Sequence, residues 1–194
     1  MTASVAGQQV DAPSGSLAGT YVAATNIVAH RFFHAHADAI ACACRDMAVH
    51  FHDGGRLFVV GDAAQRSDAA HVVVEFLHPV VVGKRALPAM SLPDIATGDA
   101  ARVLRTMTRA GDLLLVLSAR ALTDDALALL RSARTRNLLT IALIGARASD
   151  VASADHVFAV DSHDACIVQE THEILYHVLW ELVHVFFDHR EEVT

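Results

Sequence analysis

Lysine, cysteine and long apolar runs are scarce in this chain of 194 residues. Only one of its 15 basic residues, Lys84, is a lysine, and 22 acidic residues bring the formal net charge to −7. No stretch gathers enough Lys and Arg to follow a phosphate backbone. The composition therefore disfavours binding through a basic face, and we expect no nucleic-acid partner.

The three cysteines, Cys42, Cys44 and Cys166, form an odd set without CxxC or metal-ribbon spacing. Such a set is typical of reduced intracellular thiols rather than of a disulfide framework. The longest apolar runs, such as Leu113 to Leu117, are far below the roughly 20 residues that cross a bilayer, and the N-terminus lacks the basic and apolar segments of an export signal. We therefore expect a cytoplasmic protein with no membrane partner.

The chain is rich in apolar residues, which make up 53% of it, and in histidine, of which it has 13. A folded chain of this length buries roughly 70% of the surface that its unfolded form exposes, so its core needs neither a disulfide nor a metal. So many imidazoles raise the chance that some bind a metal or move protons. Length and composition thus predict one globular domain, in which most histidines are surface or packing residues and some are candidates for chemistry.

The chain alternates between two kinds of apolar segment. Residues 1–16 lack periodicity and predict a flexible tail, whereas residues 17–190 predict one domain without an internal boundary. Short β-rich runs predict strands, and the longer stretches between them predict helices. The predicted strands are 56–61, 87–92, 113–118, 138–144 and 156–160, and the predicted helices are 17–50, as one helix or two, 67–80, 99–109, 123–136 and 165–187.

This alternation predicts the fold class. Strands separated by helices of about ten or more residues require right-handed crossovers and a parallel sheet, and hence a three-layer α/β sandwich with long helices at both termini. Ligands of such sheets bind at the carboxyl ends of the strands. The candidate binding loops are therefore those after residues 61, 92 and 118, together with the approach to the last helix.

The second predicted helix carries a pair of ligand-type side chains. His71 and Glu75 lie four residues apart and project from one face, where an imidazole and a carboxylate can meet one cation. The remaining residues from 72 to 77 are apolar, so a carboxylate on this face needs a partner. Two solvated side chains on an exposed face are the alternative interpretation of the pair.

The last helix carries a polar stripe on an apolar background. Gln169, Glu173 and His177 follow one another at steps of four residues and so share one side of the helix. Some of these side chains must face a cavity or a partner chain. Exposure on the wet side of the helix remains an open alternative for three further residues: His172, Glu181 and His184.

Five landmarks follow one another in the order found in a known family. They are Gly-Gly-Arg-Leu-Phe-Val-Val-Gly at 54–61, Ser-Asp-Ala-Ala-His at 67–71 with Glu75, Leu-Pro-Ala-Met-Ser-Leu at 87–92, Gly-Asp-Leu-Leu-Leu-Val-Leu-Ser at 111–118, and Val-Gln-Glu at 168–170 with His172 and His177. From residue 17 to residue 187 the chain resembles the phosphoheptose isomerase branch of the SIS (sugar isomerase) family.

The resemblance implies a flavodoxin-like SIS sandwich with a five-stranded parallel sheet, usually assembled as a homotetramer. It also implies aldose–ketose isomerisation of sedoheptulose 7-phosphate or a related sugar phosphate. The zinc-binding set of the family corresponds here to His71, Glu75, Gln169 and His177. Glu75 and His177 are also the implied acid/base pair, because a carboxylate can take the proton beside a carbonyl and an imidazole can exchange one with oxygen, while a cation steadies the enediolate.

Two loops that bind substrate in the family are changed in this chain. The family's Gly-Asn-Gly-Gly-Ser after the first strand is Gly-Asp-Ala-Ala-Gln at 61–65, which brings a carboxylate and two Cβ atoms into a tight turn. The family's Ser-Thr-Ser-Gly-Asn-Ser phosphate cradle is Ser-Ala-Arg-Ala-Leu-Thr at 118–123, in which Arg120 can hold an anion bidentately. The segment 94–112 is also shorter than in the family, which predicts a reshaped pocket. The resemblance places substrate against Asp62, Gln65, Asp94, Ser118, Arg120, Thr123 and Gln169.

Two functions of different classes follow from these features. The first is a metal-assisted isomerase of a sugar phosphate or related sugar, favoured by the intact metal-ligating set. The second is a non-catalytic SIS module that binds a carbohydrate derivative or a protein partner, as replication-initiator-associating relatives do, favoured by the changed loops. Decay of an unused site would erase ligands and loops together, so the sequence favours retained metal binding with altered ligand recognition. The apolar surface of the first and last helices predicts a dimer or tetramer.

Overall fold

The computed structural model describes residues 14–79, 81–145 and 154–191. In these ranges the helices are α1 (Ser14–His52), α2 (Arg66–Leu77), α3 (Asp99–Met107), α4 (Asp124–Thr135) and α5 (Ala165–Glu191), and the strands are β1 (Leu57–Gly61), β2 (Ala89–Ser91), β3 (Leu113–Ser118), β4 (Leu139–Gly145) and β5 (His156–Val160), with a 3₁₀ helix at Ile95–Thr97. Residues 1–13, which include most of the predicted tail, lie outside the described part of the chain.

The five strands form one parallel sheet in the order β2-β1-β3-β4-β5. Leu57 of β1 is opposite Ala89 of β2 on one side and opposite Leu113 of β3 on the other. The strand order therefore reverses at β1, and open α/β sheets bind their ligands at such a reversal, outside the carboxyl ends of the strands. The predicted α/β class with a five-stranded parallel sheet is confirmed.

Each face of the sheet is covered by its own set of helices. Leu57 and Val59 of β1 belong to the core shared with α1, α2 and α5, whereas Phe58 and Val60 belong to the core shared with α3 and α4. All four side chains are fully buried, and removing a side chain of this size from water stabilises a fold by about 1.5–3 kcal/mol. Burial on both faces explains why the strands are continuous apolar runs in the sequence.

The two long helices lie against each other on one face of the sheet. α1 is a single helix of 39 residues. Its second half contacts α5, where Cys44 Sγ lies 3.9 Å from the Leu179 carbonyl oxygen and the ring of His52 lies 5.8 Å from that of Phe187. α5 also contacts α2, so the polar stripe of the last helix faces α2. In the described ranges, no helix has both the length and the apolar character needed to pass through a bilayer.

An ion pair between a half-buried arginine and a buried aspartate joins the starts of the neighbouring strands β1 and β3. Arg56 donates from Nη2 to Asp112 Oδ2 at 2.7 Å, and from its backbone N–H to Oδ1 at 3.0 Å. Asp112 also accepts the Arg109 N–H at 2.8 Å. Burial raises the pKa of the Asp112 carboxyl, but the Arg56 guanidinium and the N–H donors outweigh it, so this pKa lies below its ordinary value.

Several predicted element bounds differ from the structure. α2 ends at Leu77 rather than at residue 80, because Pro79 disfavours a helical conformation of His78, whose φ and ψ are −126° and 67°. β2 is shorter than predicted because it lies at the edge of the sheet, where Pro88 has no N–H to offer a ladder. The 3₁₀ helix after β2 was not predicted, and α1 and α5 extend beyond their predicted ends.

Candidate metal and substrate site

α2 and α5 face each other through polar side chains, a set that we call the α2–α5 ladder. On α2 these side chains follow the spacing i, i+3 and i+7, which keeps them on one face. On α5 they are the three residues of the predicted stripe together with Tyr176, at steps of three and four residues. The ladder comprises Asp68, His71 and Glu75 on α2 and Gln169, Glu173, Tyr176 and His177 on α5.

The structure brings three of the predicted metal ligands together in this ladder. Glu75 Oε1 lies 3.2 Å from His71 Nε2 and 3.8 Å from His177 Nε2, and the centroids of the two imidazoles are 5.2 Å apart. One ligand-type atom from each residue lies within 4.8 Å of the other two. Two imidazoles and a carboxylate are a donor set that Zn²⁺ accepts, so the residues present fit one divalent ion.

The same cluster is open on one side. The side chains of His71 and His177 keep 39% and 43% of their exposure, whereas Glu75 keeps 18%. Glu75 is thus held between two imidazoles that solvent and a small ligand can reach. A carboxylate and an imidazole placed so close together at an accessible surface can exchange protons with a bound molecule.

Gln169, the fourth predicted ligand, lies at the next level of the ladder. Its amide nitrogen donates to Asp68 Oδ1 at 3.1 Å, which leaves the amide oxygen as the atom it can offer a cation or a substrate. Asp68 is buried, and its Oδ2 has no hydrogen-bond partner within the described ranges. A buried carboxylate oxygen without a partner is costly, so this level of the ladder favours a further donor or a cation.

Tyr176 is a site residue that sequence reasoning missed. Its hydroxyl lies 3.0 Å from His71 Nδ1, and Glu173 Oε1 lies 3.9 Å from the same nitrogen. Burial and then the carboxylates of Glu173, Asp68 and Glu75 raise the pKa of the Tyr176 phenol. The available signal was its position seven residues after the start of the polar stripe, which puts it on the ladder side of α5.

The loop after β1 folds around Asp62. Its Oδ1 accepts the backbone N–H groups of Ala64 and Gln65 at 2.9 and 3.1 Å, and its Oδ2 accepts the Ser118 hydroxyl at 2.8 Å. The turn is tight, since a Cβ on Gly61 would collide with the Gln65 carbonyl oxygen. The hydroxyl that the family resemblance assigns to phosphate is therefore bonded to a carboxylate.

A pocket of about 100 Å³ opens at the same edge of the sheet. Much of its wall is apolar and includes Leu122 and Ala126, whose N–H donates to the Thr123 side chain that caps α4. No Lys, Arg or His occurs among the described residues that line it, so it differs from an anion cradle. Four predicted substrate-binding residues line this pocket: Asp62, Asp94, Ser118 and Thr123.

Asp94 ties this pocket to the start of α2. It accepts the Ala96 N–H at 3.0 Å and a guanidinium N–H of Arg66 at 2.8 Å. These two donors, the backbone one first, lower the pKa of Asp94. The Arg66 guanidinium beside the pocket is thus engaged by a carboxylate.

The other two predicted substrate contacts, Gln65 and Arg120, do not line this pocket. Gln65 is buried, and neither of its amide atoms has a hydrogen-bond partner in the part of the chain that the structure describes. Arg120 is exposed, and its backbone N–H donates to Ser118 Oγ at 3.3 Å. Their contact with substrate stays a prediction.

The structure resolves the alternatives left open on the last helix. His172 and His184 are buried, whereas Glu181 is exposed. His172 Nε2 lies 3.3 Å from the Ile144 carbonyl oxygen, and burial lowers its pKa to about 4. His172 is therefore neutral near pH 7 and joins α5 to β4 as a packing residue.

Known proteins resemble the chain over most of its length, although no family model matches it. The phosphoheptose isomerase of Solidesulfovibrio magneticus is 28% identical over 185 residues, which cover 89% of this chain and 91% of that protein. That of Pelobacter propionicus is 30% identical over 146 residues, which cover 69% and 77%. The DnaA initiator-associating protein DiaA of Yersinia pseudotuberculosis is 25% identical over 172 residues, which cover 80% and 88%.

Solved structures share the fold. A phosphoheptose isomerase from Francisella tularensis matches with a TM-score of 0.78 at 21% identity, over 89% of this chain and 99% of that chain. Phosphoheptose isomerase GmhA from Neisseria gonorrhoeae matches with a TM-score of 0.74 at 18% identity, over 87% and 97%. Together with the Pelobacter relative, which shares 30% of its residues over 77% of its length, these matches show that the chain belongs to the phosphoheptose isomerase family and has its SIS fold.

Proposed function

We propose that this chain is a metal-assisted aldose–ketose isomerase that acts on sedoheptulose 7-phosphate or a related sugar. The observation that carries the proposal is the convergence of His71, Glu75 and His177 from two helices, with ligand-type atoms within 4.8 Å of one another. The phosphoheptose isomerases at 28% and 30% identity support the same class of reaction.

The proposed proton transfers use Glu75 and His177. Glu75 removes the proton from the hydroxyl-bearing carbon beside the carbonyl and returns one to the carbonyl carbon, so that one C–H bond breaks and another forms. His177 gives a proton to the carbonyl oxygen and takes one from the hydroxyl on the carbon that Glu75 deprotonates. The 3.8 Å between Glu75 Oε1 and His177 Nε2 supports the pairing, because both groups can reach adjacent atoms of one substrate.

We propose zinc as the metal, held by His71, Glu75, Gln169 and His177. Two imidazoles with a carboxylate favour zinc over the hard cations that prefer all-oxygen sites. When bound, the ion supplies positive charge against the negative charge that develops on the substrate oxygens. The Asp68–Gln169 hydrogen bond supports the assignment of Gln169, since it orients the amide oxygen away from Asp68.

The proposed substrate contacts are divided between the ladder and the pocket. Gln169 is the contact on α5, and Asp62, Gln65, Asp94, Ser118, Arg120 and Thr123 are the contacts at the carboxyl ends of the strands. The Asp62–Ser118 hydrogen bond and the apolar wall of the pocket favour hydroxyl groups over a phosphate group. We therefore propose that ligand recognition differs from that of the phosphoheptose isomerases.

A second candidate is a non-catalytic SIS module that binds a carbohydrate derivative or a protein partner. The altered loop at Asp62 and the DiaA relative at 25% identity favour it. This candidate predicts no turnover by the metal-loaded protein with any sugar or sugar phosphate.

We further propose that residues 17–190 form one SIS domain and that the protein assembles as a dimer or tetramer through its long helices. Leu17, Val22 and Ile27 support assembly, because each is a large apolar side chain that keeps more than half of its exposure in the first half of α1. The free state of Cys42, Cys44 and Cys166 supports the proposed cytoplasmic location.

The deciding experiment is an isomerase assay on zinc-loaded protein with sedoheptulose 7-phosphate, sedoheptulose and a panel of other aldoses and ketoses. Glu75→Gln and His177→Asn are expected to abolish turnover while leaving the melting temperature of the metal-free protein nearly unchanged. Glu181→Gln is the matched control, because Glu181 is an exposed carboxylate on the same helix as His177. Activity that survives Glu75→Gln would remove the proposed base, and no activity in the wild type would favour the second candidate.

A further inference from the structure

We infer that Tyr176 is a positioning residue for His71, because its hydroxyl fixes the imidazole with Nε2 directed at Glu75 and His177. The inference rests on the proposed metal site, in which His71 is a ligand. It concerns a side chain that the acid/base scheme does not use. The geometry of the two ring nitrogens carries it.

Each nitrogen of the His71 ring has its own partner, one on α2 and one on α5. Nε2 lies 3.2 Å from Glu75 Oε1, and Nδ1 lies 3.0 Å from the Tyr176 hydroxyl. The Tyr176 ring stands edge-on to the imidazole, with centroids 5.3 Å apart and an interplanar angle of 73°. Contacts at both nitrogens and at the ring edge leave the imidazole little freedom to rotate.

A hydroxyl on Nδ1 suits His71 both with and without a metal. Without an ion, Nε2–H donates to Glu75 and the Tyr176 O–H donates to Nδ1. With an ion on Nε2, the ring proton would lie on Nδ1, and the Tyr176 oxygen would accept a hydrogen bond from it. A hydroxyl can donate and accept, whereas a carboxylate could only accept. Tyr176 therefore keeps His71 in place through the change of tautomer.

Tyr176 is itself held firmly. It is only 1% exposed, and it belongs to the core between the sheet and the three helices α1, α2 and α5. Its ring centroid also lies 4.9 Å from that of His177. A partner fixed by packing pre-organises the ligand it bonds, and loss of such a partner lowers metal affinity about 10- to 100-fold.

Glu173 offers a second acceptor to the same nitrogen. Its Oε1 lies 3.9 Å from His71 Nδ1, too far for a hydrogen bond but close enough to approach after a small side-chain movement. Because Glu173 keeps 45% of its side-chain exposure, it is free to make that movement. The carboxylate can therefore compensate in part when the tyrosine hydroxyl is removed.

The test removes the hydroxyl and measures zinc affinity by competition with a chelator. Tyr176→Phe keeps the ring and its packing, and zinc affinity is expected to fall about 10- to 100-fold. The double variant Tyr176→Phe/Glu173→Gln is expected to bind zinc more weakly still. Tyr21→Phe is the matched control: Tyr21 is the other of the two tyrosines in the chain, and its exposed hydroxyl donates to Glu170 at 3.0 Å, so zinc affinity should not change.

A second readout needs no metal. The nitrogen chemical shifts of His71 in the metal-free protein are expected to show one dominant tautomer in the wild type and a changed tautomer ratio in Tyr176→Phe. Unaltered zinc affinity in both Tyr176 variants, or a wild type that binds no zinc, overturns the inference. If Tyr176→Phe weakens zinc binding but the wild type isomerises no sugar, the inference is supported and the proposed function is refuted.

Discussion

Replacing Asp62 with Asn is expected to strengthen the binding of phosphorylated sugars. The Asp62 carboxylate accepts two backbone N–H groups of its own loop and the Ser118 hydroxyl. An asparagine can keep the backbone contacts through its oxygen, while its amide nitrogen donates to Ser118 Oγ. The Ser118 hydroxyl proton then becomes available to a ligand, and one negative charge leaves the edge of the pocket.

The magnitude follows from the single hydrogen bond that is released. A hydrogen bond to a charged group is worth about 1.5–3 kcal/mol, and about 1.4 kcal/mol corresponds to a factor of ten in affinity. Affinity for sedoheptulose 7-phosphate is therefore expected to rise about 10- to 150-fold, from a low value in the wild type. Affinity for sedoheptulose, which lacks the phosphate, should change little.

Titration calorimetry with both sugars gives the ratio of the two affinities in each variant. Asp38→Asn is the control, because it removes one exposed carboxylate from α1 and so tests the change in net charge alone. If Asp62→Asn leaves the ratio at its wild-type value, the Ser118 hydroxyl is not the missing phosphate donor. Tight binding or efficient turnover of sedoheptulose 7-phosphate by the wild type would refute the premise that the Asp62–Ser118 hydrogen bond weakens phosphate binding.

Three further predictions test the metal, the assembly and the core. Elemental analysis should find about one zinc per chain in protein prepared with zinc, and a much lower content in His71→Ala but not in His30→Ala. Light scattering should give a mass well above the 20.8 kDa of one chain. Asp112→Asn should lower the free energy of unfolding in urea near pH 7 by about 1.5–3 kcal/mol, the usual worth of a hydrogen bond to a charged group, because the Arg56 side chain keeps 34% of its exposure and is not left buried without a partner. Because the pKa of Asp112 is lowered on folding, its stabilisation is present above the unfolded pKa and lost as the pH falls through the folded one, so the difference should shrink in acid.

The fold could be predicted from the sequence because its strands are buried on both faces. Continuous apolar runs such as residues 113–117 are typical of strands in a sheet that helices cover on both faces. Segments with weaker signals were predicted less well. The helical pattern of α2 continues past its true end, where the conformational restriction before Pro79 stops it. The edge strand β2 pairs with β1 over only part of its predicted span of 87–92. A sequence does not state which strand lies at the edge.

The ladder was predictable in part, because helical spacing alone puts His71 beside Glu75 and Gln169 on the same side as His177. Which side chains meet across the two helices depends on how α2 and α5 are placed side by side. The contact of Tyr176 with His71 spans 105 positions in the chain, and that of Asp62 with Ser118 spans 56. No local pattern encodes such contacts, so both emerged only from the tertiary structure.

The Tyr176–His71 contact and the Asp62–Ser118 contact belong to different parts of the fold, which explains how a changed pocket can coexist with an intact metal-ligating cluster. The cluster is built on α2 and α5, whose apolar faces are fixed by the core, and Tyr176 itself is part of that core. The pocket is built on loops after β1 and β3, where Asp62 and Ser118 can change without disturbing a packed face. Substitutions in these loops therefore alter ligand recognition while leaving His71, Glu75 and His177 in place. We therefore expect Asp62→Asn to change sugar preference but not zinc affinity. Tyr176→Phe is expected to change zinc affinity but not sugar preference.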